Sequence, residues 1–177
     1  MAAAPTNFAM LLDLAKETSS EKRRELLRQI TDVFLADPPE RSERESALFD
    51  EIVAAVAADL ETQVRIELAR KVATSNVPVQ RTARRLAMDV IEVARPVIEA
   101  SKALSEADIL DVIKQKSQDH MMAVTKRPNI GANVSSALVE KGEDRVVASL
   151  LENRTARIDR LTYEKVAERV LVRYLAK

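Results

Sequence analysis

The chain contains no cysteine and no tryptophan, only two glycines, and five aromatic rings in all: Phe8, Phe34, Phe49, Tyr163 and Tyr174. Without thiols no disulfide can staple the fold and no thiolate cluster can hold a metal, a composition compatible with a reducing compartment. So few rings leave the core to Leu, Val, Ile, Ala and Met, and the rings themselves read as packing rather than as a ligand cage. Two glycines exclude a Gly-rich scaffold and leave few places for a phosphate-cradling loop. Net charge is also missing: 28 basic side chains balance 28 acidic ones, so no global field draws the protein onto nucleic acid or anionic lipid. Long apolar runs are absent as well. The opening MAAAPTN has no basic segment leading into an apolar stretch, and charges interrupt the later apolar residues. Neither secretion nor membrane spanning is expected, and the cytoplasm is the expected location.

What is present is enough for one core. At 177 residues and 46% apolar types, the chain should bury roughly 70% of the surface its unfolded form exposes, without staples. The apolar residues recur at three and four positions: Phe8, Leu11, Leu12 and Ala15, then Leu26, Leu27, Ile30, Val33 and Phe34. That is the period of helices with one buried face. Thr18 with Glu21, and Ser42 with Glu45, have the spacing of reciprocal N-terminal capping boxes. Between them Ala36-Asp37-Pro38-Pro39-Glu40-Arg41 reads as a turn. A helix is predicted over Glu61 to Ala73, with Val64, Leu68 and Val72 inward. A longer one follows Pro78 through Ala83, Leu86, Ala87, Val90, Ile91 and Ala94, with Pro78 in its first turn and Pro96 ending or kinking it. Ser105 with Asp108 marks a restart whose inner face runs through Ile109, Ile113, Met121 and Val124.

The C-terminal third repeats itself. In RPNIGANVSSAL and LENRTARIDRLT, Asn129 lies 24 positions before Asn153, Val134 the same distance before Ile158, and Val146 before Val170. A weaker copy is centred on Asn76. This spacing holds two short helices and their turns, the unit of a helical solenoid. The Asn side chains suit caps or turns, and Gly142 suits a left-handed helix terminus. The expected fold is all-α: a short, irregular, right-handed α-α superhelix of degenerate repeats. Residues 1–60 form an N-terminal helical extension packed on the repeats, and residues 61–177 form the repeat region, one continuous domain with it.

The segments RPVIEASKALSEADILDVI, HMMAVTKRPNIGANVSSALVEKG and VVASLLENRTARI resemble the bacterial DUF2336 family of uncharacterised proteins. The resemblance runs from about Val64 to Val170 and rests on Pro96, Ser101, Leu104, Asp108, His120, Arg127, Asn129, Leu138, Gly142, Leu151 and Asn153. It implies a fold related to HEAT and leucine-rich-variant repeats, and it carries no catalytic residue set. Lys126, Arg127 and Pro128 form a local basic embellishment.

Chemistry is thinly represented. No GxSxG, HExxH, CxxC, GxGxxG or GxxxxGK[ST] motif occurs, so an enzyme lacks its readable support. No cofactor, metal site or catalytic residue is expected. His120, the sole histidine, shares a helical face with Ile113 and Val124. It suits a satisfied histidine at the core margin better than a phosphoacceptor, because SQDHMMAVTKR lacks a phosphotransfer continuation. Glu140, Glu143 and Asp144 suit capping around Gly142. Met88, Met121 and Met122 suit the core, with an adaptable strip for a partner helix as the alternative.

The basic residues are more suggestive. Arg23, Arg24 and Arg28 form one cluster and Arg81, Arg84, Arg85 and Arg95 another, though Glu21, Glu25, Asp89 and Glu92 can neutralise them. The expected function is a scaffold for protein–protein interaction. Arg81, Arg84, Arg85, His120, Lys126, Arg127 and Arg154 are the candidate contacts, and the partner a protein with an acidic surface. Nucleic-acid binding along the arginine rail is one alternative; phosphotransfer or signalling through His120 is another. Self-association is compatible with the same scaffold, and no membrane partner is expected.

Overall fold

The computed structural model describes residues 10, 13–35 and 42–175, and every regular element among them is a helix. Residues 13–16 form α1. There follow α2 (Ser20–Leu35), α3 (Glu43–Ala57), α4 (Thr62–Thr74), α5 (Gln80–Ala87), α6 (Ile91–Ala100), α7 (Glu106–Gln115), α8 (Gln118–Thr125), α9 (Ala132–Lys141), α10 (Asp144–Glu152) and α11 (Arg160–Leu175). The turn expected at 36–41 and the apolar positions Phe8, Leu11 and Leu12 lie outside the described residues. Among the described residues no helix is long and apolar enough to cross a membrane.

The chain divides into two compact units. One gathers the described residues up to Val97 with Ser101–Leu104; the other gathers Ile98–Ala100 with Ser105 onward. In the first unit α2 packs on α4, and both α3 and α4 pack on α5, so helices from either side of residue 60 share a core. Leu27, Ile30, Val53, Leu68, Val72 and Leu86 are almost fully enclosed there, each side chain stabilising by roughly 1.5–3 kcal/mol. Phe34 stacks flat on Phe49 with ring centroids 4.1 Å apart. Arg65 forks onto Asp89, 24 positions on, at 2.6 and 3.1 Å.

In the second unit α7 packs on α8 and α9, α10 on α8 and α9, and α11 on α9. Helix pairs thus follow one another, α7/α8 and then α9/α10, with α7, α9 and α11 in sequence along one side. Side chains tie each pair to the next. The Thr125 and Ser149 hydroxyls, 24 positions apart, meet at 2.6 Å. Gln118 donates to Lys141 O at 3.1 Å and accepts from Glu143 N at 2.7 Å, joining the start of α8 to the α9–α10 turn.

Local signals and outcome agree at two starts. Ser42 with Glu45 and Ser105 with Asp108 both close reciprocal capping boxes. Thr18 with Glu21 does not: α2 begins at Ser20, its first turn closing from Arg23 N onto Ser19 O. Pro78 stands ahead of α5 and outside its first turn, because Val79 takes the cap position. Two expected long helices are each broken in two. Met88–Val90 separates α5 from α6, and Lys116–Ser117 separates α7 from α8. A continuous apolar face survives a tight turn that restarts it in phase, so periodicity alone does not reveal the break.

Pro96 does not end its helix; it sits inside α6. Its missing amide costs the bond to Glu92 O, about 3 kcal/mol in an interior turn. The fully buried Val93, Ala94, Val97 and Ile98 around it offset that loss. Gly142 is not left-handed, with φ −74° and ψ 145°. It must be glycine for room, because a Cβ there would stand 2.5 Å from Leu138 O and 2.6 Å from Val146 Cγ1. Among the described residues Asn129 is left-handed, at φ 55°, a conformation Asn tolerates better than most side chains.

Candidate functional site

The chemistry-bearing residues fall into two local groups, one in each unit. In the first unit, Arg81, Arg84 and Arg85 occupy α5 at offsets of three and four, so they project from one side of the helix. All three are exposed, while Thr82, Ala83, Leu86 and Ala87 on the other side are fully enclosed. Arg81 Nη1 lies 3.9 Å from Glu51 Oε2 with both side chains more than two-thirds exposed, a pairing worth well under 1 kcal/mol. Arg85 forms no ion pair among the described residues.

What fixes this helix is Asp50, a residue that charge patterning did not single out. Its carboxylate, 6% exposed, accepts from Arg81 N and Thr82 N at 2.8 Å each, and its carbonyl accepts from the Thr82 hydroxyl at 3.2 Å. α5 has no side-chain cap of its own. An acid from α3 therefore supplies the cap across space, satisfying two orphan donors and placing negative charge at the helix's positive end. The sequence does hold a clue, since Asp50 sits between Phe49 and Val53 on the inward side of α3. A cleft of about 880 Å³ opens beside this junction, with Ser46, Asp50, Ser75, Asn76 and Arg81 among its walls.

In the second unit the α8–α9 and α10–α11 turns lie together. Asn153 joins them: its Nδ2 donates to Thr125 O at 2.8 Å and to Arg127 O at 2.7 Å, and its Oδ1 accepts from Thr155 N at 3.0 Å. Asn129 N donates to Thr155 Oγ1 at 3.0 Å, and Arg157 N to Ile130 O at 2.8 Å. The two asparagines, 24 positions apart, thus do different work, one closing a left-handed turn through its backbone and the other clamping two turns through its amide. A cleft of about 390 Å³ lined by Lys126, Arg127, Glu152 and Asn153 lies here.

Of the expected contacts in this unit, Lys126 and Arg154 are exposed. Arg127 is not a free surface charge. Its guanidinium donates to Ile98 O in the last turn of α6, where a cation complements the carbonyl end of the helix, and burial lowers its pKa from the ordinary arginine value. His120, among the expected contacts, is a buried side chain. It is 4% exposed, its Nδ1 is 2.8 Å from Ser117 Oγ within the first turn of α8, and it lines none of the clefts described. Met121 is buried, while Met88 and Met122 are half-buried. Among the described residues no group of three or more His, Cys, Asp or Glu could hold a metal ion.

The upstream arginines are also engaged. Arg28 forks onto Glu67 at 2.8 and 3.0 Å, with Arg24 at 3.5 Å, and the Arg28 hydrogen bond holds the Glu67 carboxyl below its usual pKa.

Residues 93–171, from α6 into α11, match the family described as "Uncharacterised protein conserved in bacteria (DUF2336)". The resemblance drawn from Val64 onward is thus supported from residue 93. No curated protein and no solved structure matches the chain.

Proposed function

We propose that the chain is a cytoplasmic helical scaffold that binds an acidic protein surface through the exposed face of α5. The observation that carries this reading is the disposition of Arg81, Arg84 and Arg85: three guanidinium groups on one side of a helix whose opposite side is locked into the core. Arginine so presented gives planar, bidentate recognition of carboxylates, and a rigid mount reduces the ordering cost of binding. With an overall charge of zero, the attraction is local and suits a matched partner better than any polyanion. The reading includes a kinship of the α7–α10 helix pairs with degenerate HEAT or leucine-rich-variant repeats, supported by the 24-residue spacing of the Thr125–Ser149 contact.

The test is fluorescence anisotropy with two labelled probes, an oligo-glutamate peptide and a short DNA duplex, across a salt series. The peptide should bind the wild type and lose at least about tenfold in affinity with Arg81→Glu/Arg84→Glu/Arg85→Glu. Tighter binding of the duplex, with a steep salt slope, would replace this reading by nucleic-acid recognition. Binding of neither probe at low salt would remove the carrying observation.

A further inference from the structure

α11 packs on α9 and leaves an apolar stripe in solvent: Leu161 is 69%, Val172 67% and Leu175 82% exposed, with Leu171 at 59% on the flank. Val170 is 63% exposed where Val146, its equivalent one repeat earlier, is fully enclosed. The inward side of α11 is carried instead by Thr162, buried, with Val166 and Arg169 half-buried.

The outward residues fall in a register. Leu161, Lys165, Glu168, Val172 and Leu175 follow one another at steps of four, three, four and three, the spacing of a seam along which two helices pair. Lys165 and Glu168 are exposed and form no close ion pair among the described residues, although Lys165 also attracts the exposed Asp159 carboxylate. A parallel pairing of identical helices would set Lys165 against Lys165 and Glu168 against Glu168. An antiparallel pairing that sets Lys165 opposite Glu168 does so twice, by symmetry, and the same register sets Leu161 opposite Val172 twice. The stripe is therefore complementary to itself in one orientation and repulsive in the other, as a two-fold contact requires.

We propose that this face of α11 is a dimer seam whose occupant is α11 of a second copy, antiparallel, with Lys165 of each copy paired to Glu168 of the other. A helix of 16 residues is about 24 Å long, so the seam covers several hundred Å² per copy. That is less than the roughly 800 Å² per partner of a standard stable interface, which makes this a reversible, micromolar association. It uses a different surface from the acidic-partner reading and does not depend on it.

Sedimentation velocity of the full chain, from about 1 μM to about 500 μM, tests it. The wild type should pass reversibly from monomer to dimer across that range. Lys165→Glu and Glu168→Lys should each weaken the dimer by roughly tenfold or more, by placing like charges opposite each other twice. The double exchange Lys165→Glu/Glu168→Lys should restore wild-type association. Both positions are exposed, and circular dichroism checks that each variant keeps its helices. A monomer at every concentration overturns the proposal. So does a dimer indifferent to the single reversals, or a double exchange that fails to restore what the single ones lost.

Discussion

Gly142→Ala isolates a packing requirement from a conformational one. Because Gly142 has φ −74°, alanine can adopt the backbone without strain, and a rule based on left-handed termini predicts a gain. Fewer unfolded conformations would stabilise the variant by roughly 0.4–1 kcal/mol. The surroundings predict the opposite. The new methyl would meet Leu138 O at 2.5 Å and Val146 Cγ1 at 2.6 Å, and Leu138 O already accepts the Gly142 amide at 2.8 Å. A backbone oxygen cannot rotate away, and Val146 is fully enclosed, so the α9–α10 turn itself must shift. Overpacking of this kind costs about 1–3 kcal/mol, leaving a net loss of about 1–2 kcal/mol after the entropic gain. For a chain of this length that lowers Tm by roughly 2–8 °C. Gly131→Ala is the internal control, since its Cβ would meet only the far end of the Glu106 side chain, at 2.9 Å. It should change stability by no more than about 0.5 kcal/mol. Urea and thermal unfolding followed by circular dichroism measure both. Gly142→Ala at or above wild-type stability, or Gly131→Ala the more damaging of the two, would refute the reasoning.

Asp50→Ala leaves two amides at the start of α5 without acceptors and should cost about 2–4 kcal/mol in urea unfolding, with Asp50→Asn milder because its amide oxygen can still accept one bond. Asn153→Ala removes both clamps on the α8–α9 turn; amide exchange at Asn129 and Arg157 should accelerate well before the rest of the unit, and unchanged protection there would remove the clamp from the account. The Glu67 carboxyl has its pKa lowered by the Arg28 hydrogen bond, so its contribution to stability is full above the ordinary glutamate range and fades as pH falls through the lowered value. Glu67→Gln should accordingly narrow its deficit against wild type in acid, and a deficit constant with pH would contradict the pairing.

Helix interiors were legible because their signals are local. Ser42 with Glu45 and Ser105 with Asp108 need only their own turn to close a box, and Val64, Leu68 and Val72 need only a period of 3.6 to point inward. Breaks between helices were not legible where the apolar pattern resumed in phase, as at Met88–Val90 and Lys116–Ser117. Pro96 stays inside α6 for a related reason: its intrinsic penalty is read from one residue, whereas the burial that offsets it comes from Val93, Ala94, Val97 and Ile98 together. Thr18 with Glu21 has the spacing of a box, but α2 begins at Ser20, and its first turn closes from Arg23 N onto Ser19 O.

The contact residues divide along the same line. Exposure of Arg81, Arg84 and Arg85 follows from their offsets against Ala83, Leu86 and Ala87, all within two turns of one helix. The fate of Arg127 depends instead on Ile98, distant in sequence, and that of Asp50 on the amides of Arg81 and Thr82 in another helix. Polar residues that do structural work across space look in the sequence like surface charges or misplaced ones. An acid on an apolar helix face, as Asp50 is beside Phe49 and Val53, is better read as a missing partner than as a flaw: enclosed without donors it would be costly, so its presence implies that some helix start elsewhere lacks a cap. α5, preceded by Val79 at its cap position, is such a start.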